Sequence, residues 1–198
     1  MKLFEDPLHD EFAMWPLGLI ESDGGAVGEV AAIAAAMTTP DDQTFIAGWI
    51  DAADRHVEEG DTAHRAGRDA QACGHYLRAA SFYEVGMHML YGSPVAPRLT
   101  EVFDRLSEAF ARAMSVRDPP GEPLSIPFDG HLMPGYFLRA MGAARGEAKP
   151  VIVCVNGYDA TMADMYLAQV IDASHRGYHC VIFDGPGQAR CWCGTAWP

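Results

Sequence analysis

The chain is poor in the residues that bind polyanions. Its 198 residues hold 14 Lys and Arg against 27 Asp and Glu, a formal net charge of −13, whereas phosphate binding needs clustered basic side chains. Nucleic acid and anionic membrane are therefore not expected as partners. A long apolar run is missing too. The longest small and apolar stretch, Gly24 to Met37, contains Glu29 and is too short to span a bilayer. At the N-terminus Glu5, Asp6, Asp10 and Glu11 stand where a secretory signal would place basic and then apolar residues, so a cytoplasmic protein is expected.

Cysteine is sparse and scattered. Cys73, Cys154 and Cys180 read as free thiols, the last two as small hydrophobes inside expected strands. Cys191-Trp192-Cys193 lacks the two-residue spacer of redox and zinc motifs. No His-Glu-x-x-His occurs, and His56, His64, His75 and His88 form no i, i+4 pair, so these histidines read as surface or cap-lining and no metal site is expected. Gly24-Gly25-Ala26-Val27-Gly28 follows no expected strand, which argues against a dinucleotide loop; no cofactor is expected. Gly-x-Ser-x-Gly is also absent.

What is present divides in two. From Gln43 to Val116 the apolar periodicity is helical: Trp49, Ile50, Ala53 and Val57 share one face, as do Ala70, Cys73, Leu77, Ala80, Met87 and Leu90. Gly60-Asp61 and Gly67 are expected to form the turn between them. A third helix is predicted from about Thr100 as N-cap, with Val102, Phe103, Leu106, Phe110, Ala113 and Met114 inward and Pro94 and Pro97 punctuating its entry. Asp118-Pro119-Pro120-Gly121 breaks the pattern, which puts a domain boundary at 118/119.

Beyond it, Leu124 to Phe128 and Met133 to Ala140 flank Asp129-Gly130-His131 and predict a β-hairpin. Val151 to Val155 is a continuous β-branched run suited to a strand covered on both faces. Met162 to Arg176 has helical spacing and ends at Gly177, and His179 to Phe183 is the next strand. A right-handed crossover is expected between the two strands.

Asn156-Gly157-Tyr158-Asp159, Arg176-Gly177-Tyr178 and Phe183-Asp184-Gly185-Pro186-Gly187-Gln188, in this order around two strands, resemble the α/β-hydrolases related to dihydropseudooxynicotine hydrolase and the fermentation-respiration switch protein. The resemblance covers about Gln43 to Gln188. It implies an α/β fold: an N-terminal helical cap segment, residues 1–118, followed by the first half of an α/β-hydrolase core, residues 119–188. In that family one oxyanion-hole N–H comes from the loop after the third strand, which maps onto Gly157-Tyr158. Gly157 would let backbone approach substrate and Tyr158 would donate its N–H; a side chain at position 157 is expected to crowd the loop.

The family's nucleophile, acid and His all follow the strand that ends at Phe183. No catalytic side chain is therefore assigned in this chain. Ser93 and Ser174 read as structural, and Asp184 as a hydrogen-bonding residue of the turn before Gly185. A sheet ending here should leave Val181, Ile182 and Phe183 short of packing. The tail 189–198 is aberrant: it carries two of the four Trp and two of the five Cys without periodicity. The 30 Ala, and 12 Arg against 2 Lys, point to GC-rich codons, and back-translating the tail with a shift of two bases gives Pro-Val-Leu-Val-Arg-His-Gly-Leu-Ala. That looks like the start of a hydrolase helix, so a frameshift after the Gln188 codon is expected.

The resemblance implies a serine hydrolase acting on an ester or an activated carbon–carbon bond next to a carbonyl, with a small-molecule substrate, self-association left open, and the present chain inactive. Two noncatalytic alternatives stay open: a tetratricopeptide-like binding module, from the small-residue and aromatic spacing of Ala70 to Tyr91, and a scaffold retaining the half-core.

Overall fold

An Asp-Pro pair opens the first helix. The computed structural model of the chain describes residues 2–39 and 41–189, so that all of the aberrant tail except Ala189 lies outside the described residues. Helix α1 (Pro7–Gly18) begins where the Asp6 carboxylate accepts the Leu8 and His9 N–H groups, with Pro7 in the first helical position, where its missing donor costs nothing. Helix α2 (Val27–Ala36) comes next. Both precede the stretch in which helical periodicity is legible.

The chain forms two compact units, residues 1–113 and 114–198. In the first, α3 (Asp42–Arg65) runs straight through Gly60-Asp61, where a turn is expected from the sequence. The turn lies at Ala66 to Arg68, and Gly67 supplies its positive φ of 71°. Gly60 has a packing reason instead: a Cβ there would sit 2.6 Å from the Tyr76 ring, so only glycine lets α3 approach α4 (Asp69–His88) this closely. Helix α5 (Pro97–Val116) starts at Pro97, which places Thr100 inside the first turn rather than at the N-cap. Its expected inward residues, Val102, Phe103, Leu106, Phe110, Ala113 and Met114, are all buried.

Two polar rungs, seven residues apart on every helix, tie α3, α4 and α5 together. In one, Asp54 accepts from the Tyr83 hydroxyl and from Arg105. In the other, Asp61 accepts from the Tyr76 hydroxyl at 2.6 Å and from Arg112 at 2.8 Å. Each guanidinium also lies over the ring of its own rung, Arg105 5.1 Å from the Tyr83 centroid and Arg112 6.0 Å from that of Tyr76. A seven-residue step is close to two helical turns, which returns each side chain to the same face. Burial and the hydrogen bond to Asp61 push the Tyr76 phenol up to about 12, so the rung keeps its proton at any ordinary pH. Because the aspartates are more than a third exposed, each rung contributes modestly and mainly fixes register.

The second unit is a mixed four-stranded sheet. Strands β1 (Glu122–Phe128) and β2 (His131–Leu138) form the expected hairpin, closed by Asp129 and Gly130 at φ 45° and 78°, the two consecutive positive values of a tight primed turn. Strand β3 (Val151–Val155) pairs in parallel with β4 (His179–Phe183) through a crossover made of α6 (Met162–Met165), a π-helical turn (Tyr166–Val170) and α7 (Ile171–His175). Gly177, at φ 87°, ends the crossover. Arg117, buried, donates to the Tyr166 hydroxyl at 3.0 Å and to the Pro119 carbonyl at 2.6 Å, anchoring the π turn.

The sheet order is β1-β2-β4-β3, and it corrects two expectations. Strand β4 lies inside the sheet, antiparallel to β2 and parallel to β3, with Cys180 and Ile182 fully buried, so Ile182 does not lack packing. The outer strand is β3. Among the described residues it pairs only with β4, and Val151, Val153 and Val155 are 51, 60 and 60% exposed, so it is not covered on both faces. A β-branched run marks a strand, but its place in the sheet is set by distant pairing. Hydrogen exchange on the 198-residue chain should therefore protect His179 to Phe183 more strongly than Val151 to Val155. Equal protection of the two strands would mean that the open side of β3 is covered.

Candidate functional site

Parallel pairing forces the loops after β3 and β4 to leave the sheet at the same edge, the carboxyl ends of the strands, where open α/β sheets bind their ligands. Asn156 and Asp184 are the first residues beyond the two strands, and both are buried. The Asn156 Nδ2 donates to Asp184 Oδ1 at 2.6 Å. Asp184 thus reaches across to the neighbouring loop, and the Gly185 N–H of its own turn donates to Gln188 Oε1 at 2.8 Å.

Gln188 completes the clasp. Its Nε2 donates to the Asn156 carbonyl at 2.8 Å and to the Gly157 carbonyl at 3.1 Å. The second bond fixes more than a carbonyl. The Gly157–Tyr158 peptide is planar and trans, so with its C=O turned toward Gln188 its N–H must point the opposite way. Among the described residues the Tyr158 N–H donates to no group of the chain. On the other side the loop is pinned by the start of the crossover, where the Thr161 hydroxyl accepts the Ala163 N–H at 3.2 Å and Asp164 accepts the Thr161 N–H at 2.9 Å.

The sequence expectation that a side chain at 157 crowds the loop is not met. A Cβ on Gly157 would meet only the Ala160 Cβ, at 3.9 Å, and the φ is not in the left-handed region. The fold therefore has room for a Cβ at this position.

The other candidates are structural. Ser174 is buried and its hydroxyl donates to the Arg139 carbonyl at 3.2 Å; Ser93 is exposed in the loop between α4 and α5. Cys154 and Cys180 are free thiols held above their ordinary pKa by burial, Cys180 at about 11, so neither is a thiolate at neutral pH. His64 pairs with Asp69 at 2.7 Å, and His88 Nδ1 donates to the Glu84 carbonyl at 2.7 Å. His56 and His75, which have no helical spacing in the sequence, meet across α3 and α4 with their Nδ1 atoms 3.0 Å apart. Sequence reading also missed His179, which sits buried with Nδ1 accepting the Ala140 N–H at 3.0 Å and Nε2 donating to the Glu147 carbonyl at 2.9 Å.

No protein-family model matches the chain. It is 28% identical over 174 residues to 20-hydroxy-prefusarin hydrolase FUS2 of Gibberella moniliformis, covering 87% of this chain and 42% of that protein. It is 31% identical over 176 residues to the α/β-hydrolase xenA of Xenoacremonium sinensis, covering 87% of this chain and 40% of that protein. Among solved structures, 2,6-dihydroxy-pseudo-oxynicotine hydrolase superposes with a TM-score of 0.72 at 22% identity, over 87% of this chain and 46% of that one. The chain is a relative of the α/β-hydrolases and has their fold, a helical N-terminal part followed by a mixed sheet. It spans about two fifths of the length of the curated relatives it matches.

The clasp can be tested by stability. Asn156→Ala removes the donor from the buried Asp184 carboxylate, and the expected loss is about 1.5–3 kcal/mol in urea unfolding, the usual range for a hydrogen bond to a charged group. A loss under about 0.5 kcal/mol, the range of an inconsequential surface change, would mean that the bond does not hold the loops.

Proposed function

We propose that the chain is part of a serine hydrolase of the α/β type, in which the Tyr158 N–H, with Gly157 beside it, forms one half of the oxyanion hole. The observation that carries this reading is the peptide orientation: Gln188 holds the Gly157 carbonyl and so turns the adjacent N–H outward. An outward, fixed donor needs no reorganisation as negative charge develops on a carbonyl oxygen, which is where such a donor lowers the barrier most.

The chemistry derives from that role. The whole protein attacks an ester, or an activated carbon–carbon bond next to a carbonyl, through a serine that lies in the sequence following Gln188 once the reading frame is shifted; Gly157 and Tyr158 then stabilise the tetrahedral oxyanion. The substrate is a small molecule, and the helical unit is its selecting cap. FUS2 and the pseudo-oxynicotine hydrolase are both named for hydroxylated substrates, which supports a polyfunctional, oxygenated compound. The 198-residue chain contains no Gly-x-Ser-x-Gly and is assigned no turnover of its own. The acidic composition supports a cytoplasmic protein without a nucleic-acid or anionic-membrane partner; none of the described helices is long and apolar enough to cross a membrane.

Inserting one base after the Gln188 codon tests both levels. The longer product is expected to hydrolyse p-nitrophenyl esters and to be inhibited by a serine-directed fluorophosphonate, while the 198-residue chain gives no rate above buffer. In that longer protein Gly157→Val should lower kcat by roughly 10²-fold, the effect of losing one oxyanion donor, because its methyl groups stand between the Tyr158 N–H and the substrate, with unchanged circular dichroism since a Cβ there meets only Ala160, at 3.9 Å. An unchanged kcat would remove the oxyanion role from this loop.

A further inference from the structure

In the helical unit, three atoms that can bind a cation converge from two helices. His56 Nδ1 and Glu59 Oε2 come from α3, one turn apart, and His75 Nδ1 comes from α4. The Nδ1 atoms are 3.0 Å apart, Glu59 Oε2 is 3.2 Å from His75 Nδ1, and it is 3.5 Å from His56 Nδ1. Ligand atoms about 2.0–2.1 Å from one tetrahedral zinc ion lie about 3.3–3.4 Å from each other. The triangle therefore has nearly the dimensions of one face of such a tetrahedron.

Protonation explains the arrangement less well. His56 is buried, and its Nε2 donates to Glu29 Oε1 at 2.5 Å, which in the neutral imidazole leaves Nδ1 with a lone pair. Glu59 Oε2 is an acceptor as well. A single proton on His75 Nδ1 can serve one of these acceptors well and leaves the two facing each other. A cation satisfies all three. The Glu29 contact is the carboxylate–histidine pairing that orients a metal-binding imidazole and raises its basicity. Arg78 brings the opposing charge, and it is engaged by Glu29 Oε2 at 3.4 Å and by Asp23 at 3.8 Å.

We propose that His56, His75 and Glu59 bind a divalent transition-metal ion of the zinc class, with Glu29 as the outer partner of His56. Imidazole with carboxylate selects zinc over calcium or magnesium, which prefer oxygen ligands in larger number. Three protein ligands leave a fourth position for water, and Glu59, more than half exposed, leaves the ion a way in from solvent. The ion would join α3 to α4 directly and α2 through Glu29.

The test is Zn²⁺ binding to the 198-residue chain, measured by competition with a chromophoric chelator. Wild type is expected to take one Zn²⁺ and to be unresponsive to Ca²⁺ and Mg²⁺. Replacing a direct ligand, in His75→Ala or Glu59→Gln, should weaken binding at least about 100-fold, and Glu29→Gln by about 10- to 100-fold, as outer-partner changes do. His64→Ala, outside the cluster, should leave it unchanged. Zinc should also raise the Tm of wild type and leave that of His75→Ala where it is. Co²⁺ on wild type gives a readout that needs no variant to fold: the intense visible absorption of a four-coordinate ion is expected. Weak six-coordinate absorption, no saturable Zn²⁺ uptake, or uptake indifferent to His75→Ala would overturn the proposal.

Discussion

The pairing of β3 with β4 in parallel is the constraint on which the second unit depends. It requires a crossover and brings the first residues of two loops to the same sheet edge. Once there, Asn156 and Asp184 can close a buried hydrogen bond of 2.6 Å across 28 residues of sequence. Gln188 then ties the two loops through three bonds of its side-chain amide. The bonds from Asn156 to Asp184 and from Gln188 to the Asn156 and Gly157 carbonyls would be impossible with antiparallel strands, whose following loops leave at opposite edges. The orientation of a single peptide, Gly157–Tyr158, is the last consequence of that topology.

The helical unit is ordered by a different device. Heptad-spaced Asp–Tyr–Arg rungs fix the register of α3, α4 and α5, and the same close approach that Gly60 permits brings His56 of α3 against His75 of α4. Register and metal-type geometry are thus linked: a slip of one turn between α3 and α4 would separate the rungs and the histidines together.

Much of the second unit was legible because its signals are local. Asp129-Gly130 marks the hairpin, the run Val151 to Val155 marks a strand, and Gly177 marks a helix end. The resemblance in the two loops points to the proposed site for the same reason: its residues are consecutive. What sequence reading missed is non-local. The outer position of β3 depends on sheet order, the meeting of His56 with His75 on helix packing, and the partner of Asp184 on parallel pairing. Gly60 misled because a glycine reads as a break until the ring of Tyr76 is placed against it. Helix α1 was missed although Asp6-Pro7 is a good start signal, because Pro16 and weak periodicity obscure the remainder of the helix.

The role of the Gly157–Tyr158 peptide can be read most directly in a covalent adduct. In the frame-restored protein inactivated with a fluorophosphonate, a crystal structure should place the phosphonyl oxygen about 2.7–3.1 Å from the Tyr158 nitrogen, with the Gly157 carbonyl still held by Gln188. A phosphonyl oxygen bound only by other donors, with the Tyr158 N–H turned away from it, would contradict the assignment.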